Sequence, residues 1–315
     1  MRVGVDLGGT KIEAIALDDG GVERFRRRVS TPVDDYVATV EAIGRIAEDA
    51  ERATGRGTVG VGIPGTISPA TGLVKNANST WLIGRPLKED LERRLQRPVR
   101  IANDANCFAL SEATDGAAAG APIVFGVIIG TGTGGGVVAN GHVLVGPNSI
   151  AGEWGHNPMA WPCPDEWPGP PCYCGRTGCI ETFLSGPGMA RDHQMHTGRR
   201  EDSVAITAAA ALGDAGAIAT LERYERRLAR GLASIMNVVD PDVIVLGGGL
   251  SQIARLYDNV PRLWKEYVFS DAVITRLTRA AHGDSSGVRG AAWLWPGNPG
   301  AAERLPEGPD RAGRP

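Results

Sequence analysis

The sequence predicts an α/β protein made of two copies of one unit facing each other across a ligand cleft. Three observations carry this. The chain opens with three short β-patterned runs around a glycine turn, and the same opening returns after residue 122. Strand and helix patterns alternate after each opening. Glycine, at 44 copies in 315 residues, is concentrated in a few loops where backbone must approach something closely.

In chain order, Val3, Val5 and Leu7 alternate with Arg2, Gly4 and Asp6 as a strand, and Ile12–Leu17 and Val22–Val29 flank Asp18-Asp19-Gly20-Gly21, a hairpin signal. Asp34 to Thr54 carries apolar residues at helical period, and Val59–Ile63 reads as a buried strand ended by Pro64-Gly65. A helix near Leu87–Leu95, a strand at Val99–Ala102 and a helix from about Asn106 to Gly116 complete the first half. The second half begins with a strand at Ile123–Ile129, a glycine turn, Val137–Ala139, an Asn140-Gly141 turn and His142–Val145. A Cys-, Gly- and Pro-rich excursion over Gly155 to Cys179 follows, then helices around Ala190, over Val204–Leu212 and Ala215–Val239, a strand at Asp242–Leu246, a helix from about Leu250 to Val268, and a last helix near Val288–Trp295. The duplication matches two ribonuclease-H-like domains. The first is expected over 1–118, joined by the last helix (about 288–295), and the second over 119–287. Residues 296–315 hold five Pro and four Gly and are expected to form a disordered tail.

Lys plus Arg number 33 against 36 for Asp plus Glu, a formal charge of −3, which offers no basic field for nucleic acid. The longest apolar runs are strand-length, well short of the ~20 residues that span a bilayer, and Asp6 interrupts the N-terminal run too early for a signal peptide. A cytoplasmic protein without membrane or nucleic-acid partners is expected.

Three glycine loops could hold phosphate. Asp6-Leu7-Gly8-Gly9-Thr10-Lys11 lies at the first hairpin and is no Walker loop, because Lys11 leads into a strand rather than a helix. Gly130-Thr131-Gly132-Thr133-Gly134-Gly135-Gly136 occupies the equivalent turn of the second half, and its G-x-G-x-x-G likewise opens no helix. Gly247-Gly248-Gly249 follows a strand and is read as leading into a helix, where close packing and approach to a nucleotide are both open. Asp104, after a strand and at a helix start, is either a helix cap or a general base. Cys172, Cys174 and Cys179 fall within eight positions, a C-x-C-x₄-C spacing that asks for a metal or marks a loop of reduced cysteines; Gly175, Gly178 and an upstream histidine favour the metal. Cys163 is a competing ligand left out of the set, and Cys107 reads as helix core.

These pieces together resemble the ROK sugar kinases of the actin/hexokinase-like ATPase superfamily. The matching residues are Asp6–Lys11, Asn103-Asp104-Ala105-Asn106, Thr131–Gly136, Glu153-Trp154-Gly155-His156, Cys172–Glu181 and Gly247–Gly249, in family order over about residues 1–295. Within the family, Lys75–Leu82 and His282–Gly290 resemble bacterial fructokinases. The resemblance implies ATP-dependent phosphorylation of a hexose, with D-fructose to fructose 6-phosphate expected first and mannose, glucose or N-acetylglucosamine as alternatives. It implies Asp104 as catalytic base and Gly65, Asn78, Asn103, Asp104, Glu153, His156 and Glu181 around the sugar. Nucleotide contacts are expected from Gly4, Asp6, Gly8, Gly9, Thr10, Lys11, Thr131, Gly132, Thr133, Gly134, Gly135, Gly247, Gly248 and Gly249, with Mg²⁺ alongside Asp6. Zn²⁺ is expected on His156, Cys172, Cys174 and Cys179. A homodimer is also implied. Family relatives that act as transcription repressors carry a helix-turn-helix segment ahead of the first loop; here that loop begins within ten residues of Met1, so a repressor is disfavoured.

Overall fold

A computed structural model describes residues 1–296. Of the expected tail, 297–315 lie outside the described residues. The first sheet contains β1 (Arg2–Leu7), β2 (Lys11–Leu17), β3 (Glu23–Ser30), β4 (Thr58–Ile63) and a later strand, with α1 (Tyr36–Thr54) between β3 and β4. A small hairpin, β5 (Thr66–Ile67) and β6 (Val74–Lys75), precedes α2 (Leu87–Leu95), β7 (Arg100–Asn103) and α3 (Asp104–Thr114). The second half repeats the plan with β8 (Ile123–Ile129), β9 (Thr133–Ala139) and β10 (His142–Val143). After the Cys-rich excursion come α4 (Ile180–Leu184), α5 (Gly186–Thr197), α6 (Ser203–Ala211) and α7 (Ala215–Val239). Then follow β11 (Val243–Gly247), α8 (Leu256–Leu263), β12 (Arg276–Arg279) and α9 (Ser286–Trp293).

The strand orders are β3-β2-β1-β4-β7 and β10-β9-β8-β11-β12. Each sheet pairs its first three strands antiparallel and its last two parallel, so the halves superpose strand for strand in plan. This is the actin-like ATPase fold that the duplicated openings predict. Strands β1, β4, β8 and β11 are buried nearly throughout, as centre-sheet strands covered on both faces must be.

The final helices of the two halves are exchanged. Helix α3, which follows the fifth strand of the first sheet, packs on β8 and β9 of the second; α9, which follows the fifth strand of the second sheet, packs on β1 and β4 of the first. The two helices also pack on each other. Close approach is possible because glycines stand at the crossings: a Cβ at Gly290 would be driven into the Cys107 carbonyl, one at Gly60 into the Ala291 carbonyl, and one at Gly126 to 2.7 Å from Ala109 Cβ. Gly4 belongs to this group, since its added Cβ would meet Val288 O and Ala292 N. Its expected nucleotide contact is therefore corrected: Gly4 is a seat for α9.

Three sequence expectations change. The helix expected over Leu250–Val268 is broken into a 3₁₀ turn at Gly249–Gln252, α8, and a 3₁₀ turn at Trp264–Glu266. Strand β12 and the β5–β6 hairpin were not expected. No single helix among the described residues is long and apolar enough to cross a membrane.

Gly290→Ala should lower the melting temperature by at least ~5 °C, because the crossing has rigid backbone on both sides and overpacking a tight core costs about 1–3 kcal/mol or more. Gly20→Ala, whose Cβ would reach only the Asp18 side chain at 3.4 Å, should melt within about 1 °C of wild type. Equal melting temperatures for the two variants in a thermal scan would refute the close crossing.

Candidate active site and metal centre

Asp104 is the first residue of α3, where the chain leaves β7. Asn103 is the cap: its side-chain oxygen accepts from the amides of Ala105 (2.9 Å) and Asn106 (3.4 Å), while its Nδ2 donates to the Gly65 carbonyl at 3.2 Å. With the cap supplied by its neighbour, Asp104 takes the Ala105 amide, at 2.8 Å, and lines a cavity of about 190 Å³ between the halves. Removal from water pushes its carboxyl up to about 6; the Ala105 amide opposes this and the Glu153 charge adds to it.

The structure brings together at this cavity Gly65, Asn78, Asn103 and Asp104 from the first half, and Thr131–Gly135, Glu153, His156 and Glu181 from the second. All seven expected sugar contacts thus share one wall-lined space. Glu181 opens α4, and its Oε2 accepts from the Thr133 amide at 2.9 Å, tying the Cys-rich loop to the second glycine turn. Trp154 reinforces that seam by donating from Nε1 to Gly134 O at 3.0 Å and packing edge-on against Phe125. The Glu153 carboxyl is raised chiefly by burial and further by Glu181, with His156 and Lys75 opposing.

A second cavity, of about 740 Å³, is lined by Gly186, Pro187, Ser203, Thr207, Gly249 and Gln252, among others. Gly130 and Thr131 line both cavities, so the second glycine turn is the passage between them. Of the Gly247–Gly249 loop, only Gly249 lines this space. An added Cβ at Gly247 would meet the Phe108 ring and one at Gly248 the Ile129 backbone, so these two are packing glycines. The loop enters a single 3₁₀ turn, not the expected helix, and offers no helix N-terminus to an anion.

The first glycine turn lies outside the lining of both cavities. Its Gly8 amide is occupied by Lys11 O at 2.9 Å, while Gly9, Thr10 and Lys11 are exposed. Behind it, Asp6 is pushed up to about 7 by burial, then by the charges of Asp104 and Glu13, with Lys11 offsetting part. A half-buried carboxylate in a field of like charge suits a hard cation, and Asp6 fits a role beside Mg²⁺.

His156, Cys172, Cys174 and Cys179 present ligand atoms that all lie within 4.8 Å of one another. Cys174 Sγ and Cys179 Sγ are 3.6 Å apart, as are Cys172 Sγ and His156 Nδ1. Bonds of ~2.0–2.3 Å from a tetrahedral zinc would set its ligands about 3.5–3.8 Å apart, so the donor set fits that ion. Burial and the neighbouring thiols push the Cys179 thiol up to about 12, an arrangement that a dication would relieve by displacing protons. Cys163 is not in the cluster; its sulfur lies 3.5 Å from Arg230 Nη1.

Sequence reasoning missed Tyr173, Pro64 and Asn76 at the sugar cavity and the whole α5–α6 wall of the larger one. Tyr173 stood inside the Cys172–Cys179 motif, which was the available signal. The α5–α6 wall is made mostly of small residues, Gly186, Pro187 and Ala190 from α5 and Ser203, Thr207 and Ala208 from α6, with no motif to mark them in the sequence.

The His282–Gly290 segment lies elsewhere. Ser286 donates to Glu112 at 2.7 Å, His282 Nε2 lies 3.1 Å from Asp115 O, and Arg289 pairs with Asp115. It fastens α9 to α3 and lines neither cavity.

Comparisons with known proteins agree with this geometry. An N-acetyl-D-glucosamine kinase from Yersinia pseudotuberculosis serotype O:3 is 41% identical over 302 residues, covering 93% of this chain and 98% of the relative. A ROK hexokinase from Thermus thermophilus superposes with a TM-score of 0.82 at 34% identity, over 93% of this chain and 96% of that one. A ROK family glucokinase from Streptomyces griseus, solved in complex with glucose and AMPPNP, gives 0.76 at 28% identity, over 93% and 98%. The expected closeness to fructokinases is not supported: the close curated relatives are named N-acetyl-D-glucosamine kinases. The model of the ROK family matches residues 2–298, and the chain belongs to that family.

Proposed function

We propose that the protein transfers the γ-phosphoryl group of ATP to the primary 6-hydroxyl of N-acetyl-D-glucosamine, with Asp104 as general base. The observation that carries this reading is a carboxylate raised toward neutrality at the floor of a sugar-sized cavity. A glycine turn joins that cavity to a larger one, in a chain 41% identical along nearly its full length to an N-acetyl-D-glucosamine kinase. D-Fructose is replaced as the first substrate because the close relatives are named N-acetyl-D-glucosamine kinases; of the two segments that favoured fructose, His282–Gly290 serves the α3–α9 contact, and Lys75–Leu82 brings Asn76 and Asn78 to the sugar cavity.

The roles follow from chemistry. Glu153 and Glu181 accept from sugar hydroxyls and Asn78 offers both a donor and an acceptor, which fixes the ring so that one hydroxyl meets Asp104. Asp104 Oδ takes that hydroxyl's proton as the oxygen attacks phosphorus. The turn at Gly130–Gly132, which joins the two cavities, presents backbone to the phosphates, and the adenosine end occupies the larger cavity; Gly9 and Thr10, exposed outside both cavities, would reach the phosphates only if the two halves close on the nucleotide. Mg²⁺ held beside Asp6 would supply charge neutralisation on the phosphates. Zinc on His156, Cys172, Cys174 and Cys179 would have no open position and supplies only rigidity, holding the loop that ends at Glu181.

Asp104→Asn keeps the shape and removes the base. The kcat should fall ~10²–10⁴-fold with sugar affinity within several-fold, and retention of more than a tenth of wild-type kcat would remove Asp104 from this role. Because the base works only when deprotonated, wild-type kcat/KM should rise with pH through an apparent pKa near 6. A flat profile between pH 5 and 8 would count against it.

A coupled ADP-release assay over N-acetylglucosamine, glucose, mannose and fructose should give the highest kcat/KM for N-acetylglucosamine. A higher value for any of the others would overturn the substrate while leaving phosphoryl transfer in place.

Elemental analysis should find about one zinc per chain, and Cys179→Ser should lose it. That variant should melt earlier and show a sugar KM raised at least ~10-fold, with nucleotide affinity within several-fold and no rescue by Mg²⁺. Full sugar affinity in zinc-free protein would contradict the structural role.

A further inference from the structure

Tyr173 stands between the paired thiols Cys172 and Cys174 and lines the sugar cavity, yet the reaction as derived makes no use of it. It is 74% exposed, so burial does not explain an aromatic ring there. Its hydroxyl lies 2.9 Å from His156 Nε2, and the two rings meet edge to face with centroids 5.1 Å apart. His156 Nδ1 faces Cys172 Sγ, which leaves Nε2 as the nitrogen turned to the cavity. When Nε2–H donates to the tyrosine oxygen, the phenolic O–H is left to donate to something else.

The cavity's other groups say what that something is. Asp104, Glu153 and Glu181 are acceptors, matched to sugar hydroxyls, while Asn76 and Asn78 offer amide donors but no apolar surface. Asn103 is committed on both sides, to the α3 amides and to Gly65 O. An acetamido substituent differs from a hydroxyl in bringing a carbonyl that needs a donor and a methyl that needs apolar surface. Tyr173 offers both on one side chain. Position matches as well. C2 and C5 of a pyranose are opposite across the ring, so a sugar whose 6-hydroxyl meets Asp104 directs its C2 substituent away from the α3 start; we set it against Tyr173 of the Cys-rich loop, which lines the same cavity.

The geometry points to Tyr173 as the residue that selects a 2-acetamido sugar over the plain hexose, with its hydroxyl donating to the acetamido carbonyl and its ring packed on the methyl. This rests on the reading that N-acetylglucosamine enters with its 6-hydroxyl at Asp104.

The test compares wild type, Tyr173→Phe and Tyr173→Ala on N-acetylglucosamine and glucose. Sugar Kd is measured by calorimetry without nucleotide, kcat and KM by ADP release, and zinc content and melting temperature in parallel. Tyr173→Phe should weaken N-acetylglucosamine ~10-fold in Kd and KM with kcat unchanged and glucose within about two-fold. Tyr173→Ala should extend the loss to ~100-fold, again for N-acetylglucosamine alone. Zinc and melting temperature should stay at wild-type values in both variants. Equal losses on the two sugars would make Tyr173 a positioning residue for His156 and overturn the inference, as would no loss on either. If wild type itself does not prefer N-acetylglucosamine to glucose, the substrate reading fails in that first measurement, and the selector role fails with it.

Discussion

The crossing of α3 and α9 is the constraint on which the rest of the molecule depends. Each helix covers the other half's sheet, and the contact between them admits no side chain at Gly290. Beside the Asp115 contacts, a wholly buried carboxylate locks the pair. Glu112, near the end of α3 and wholly buried, accepts from the amides of Ala117 (2.8 Å), Ala281 (3.0 Å) and His282 (3.4 Å) and from Ser286 Oγ (2.7 Å). Four donors around one carboxylate satisfy its lone pairs, which is what burial of that group requires. At the opposite end of the same helix, Asp104 takes the Ala105 amide and lesser help from Asn103 and its own amide, too little to offset burial and the like charge of Glu153. The satisfied carboxylate builds the fold; the under-satisfied one is left free for chemistry.

The same contrast separates the rest of the charged interior. Glu166 accepts from Arg227 and Arg230, and Asp192 from Arg223 and Arg227, so the proline-rich insertion is pinned to α7 by a closed network of opposite charges. Burial raises the carboxyls of Glu166 and Asp192, but the arginines outweigh it and both end lowered. Asp6, Asp104 and Glu153 have no arginine among the causes of their shifts and end raised. Around the sugar cavity the carboxylates have no arginine partner, and Lys75 and His156 offset the burial of Glu153 only in part; the Cys-rich loop, docked through Glu181 and Trp154, is what closes that cavity on one side.

Much of this was legible in the sequence because it is local. Alternating Val3, Val5 and Leu7, the Asp18–Gly21 turn and the returning pattern after residue 122 are near-neighbour signals, and both sheets follow from them. The cavity residues were legible as motifs, since phosphate turns and metal ligands need fixed residue types at fixed spacing. What was not legible depends on distant partners. Strand β12, Arg-Leu-Thr-Arg, has half-buried Leu277 and Thr278 between exposed arginines and is a strand only because β11 offers it an edge. Gly4 and Gly247 look like members of phosphate loops, and only the placement of α9 and Phe108 shows that they are clearances for packing. Arg289 and His282 gave a subfamily signature whose physical content is the Asp115 contact.

The exchanged helices also set the terms on which the two halves can exist. Two identical units that each lent their last helix to the other would form an intertwined two-fold dimer. This chain has that arrangement, with the two units joined end to end near residues 117–121. Neither half presents a finished surface on its own, because each sheet would expose the apolar face that its counterpart's helix now covers. The pseudo-symmetry stops at the helix starts: Asn103-Asp104 opens α3, whereas α9 follows the Gly283–Ser285 turn and begins with Ser286 turned to Glu112. A scaffold with two equivalent corners therefore carries one reaction centre, and its second corner has become the clasp.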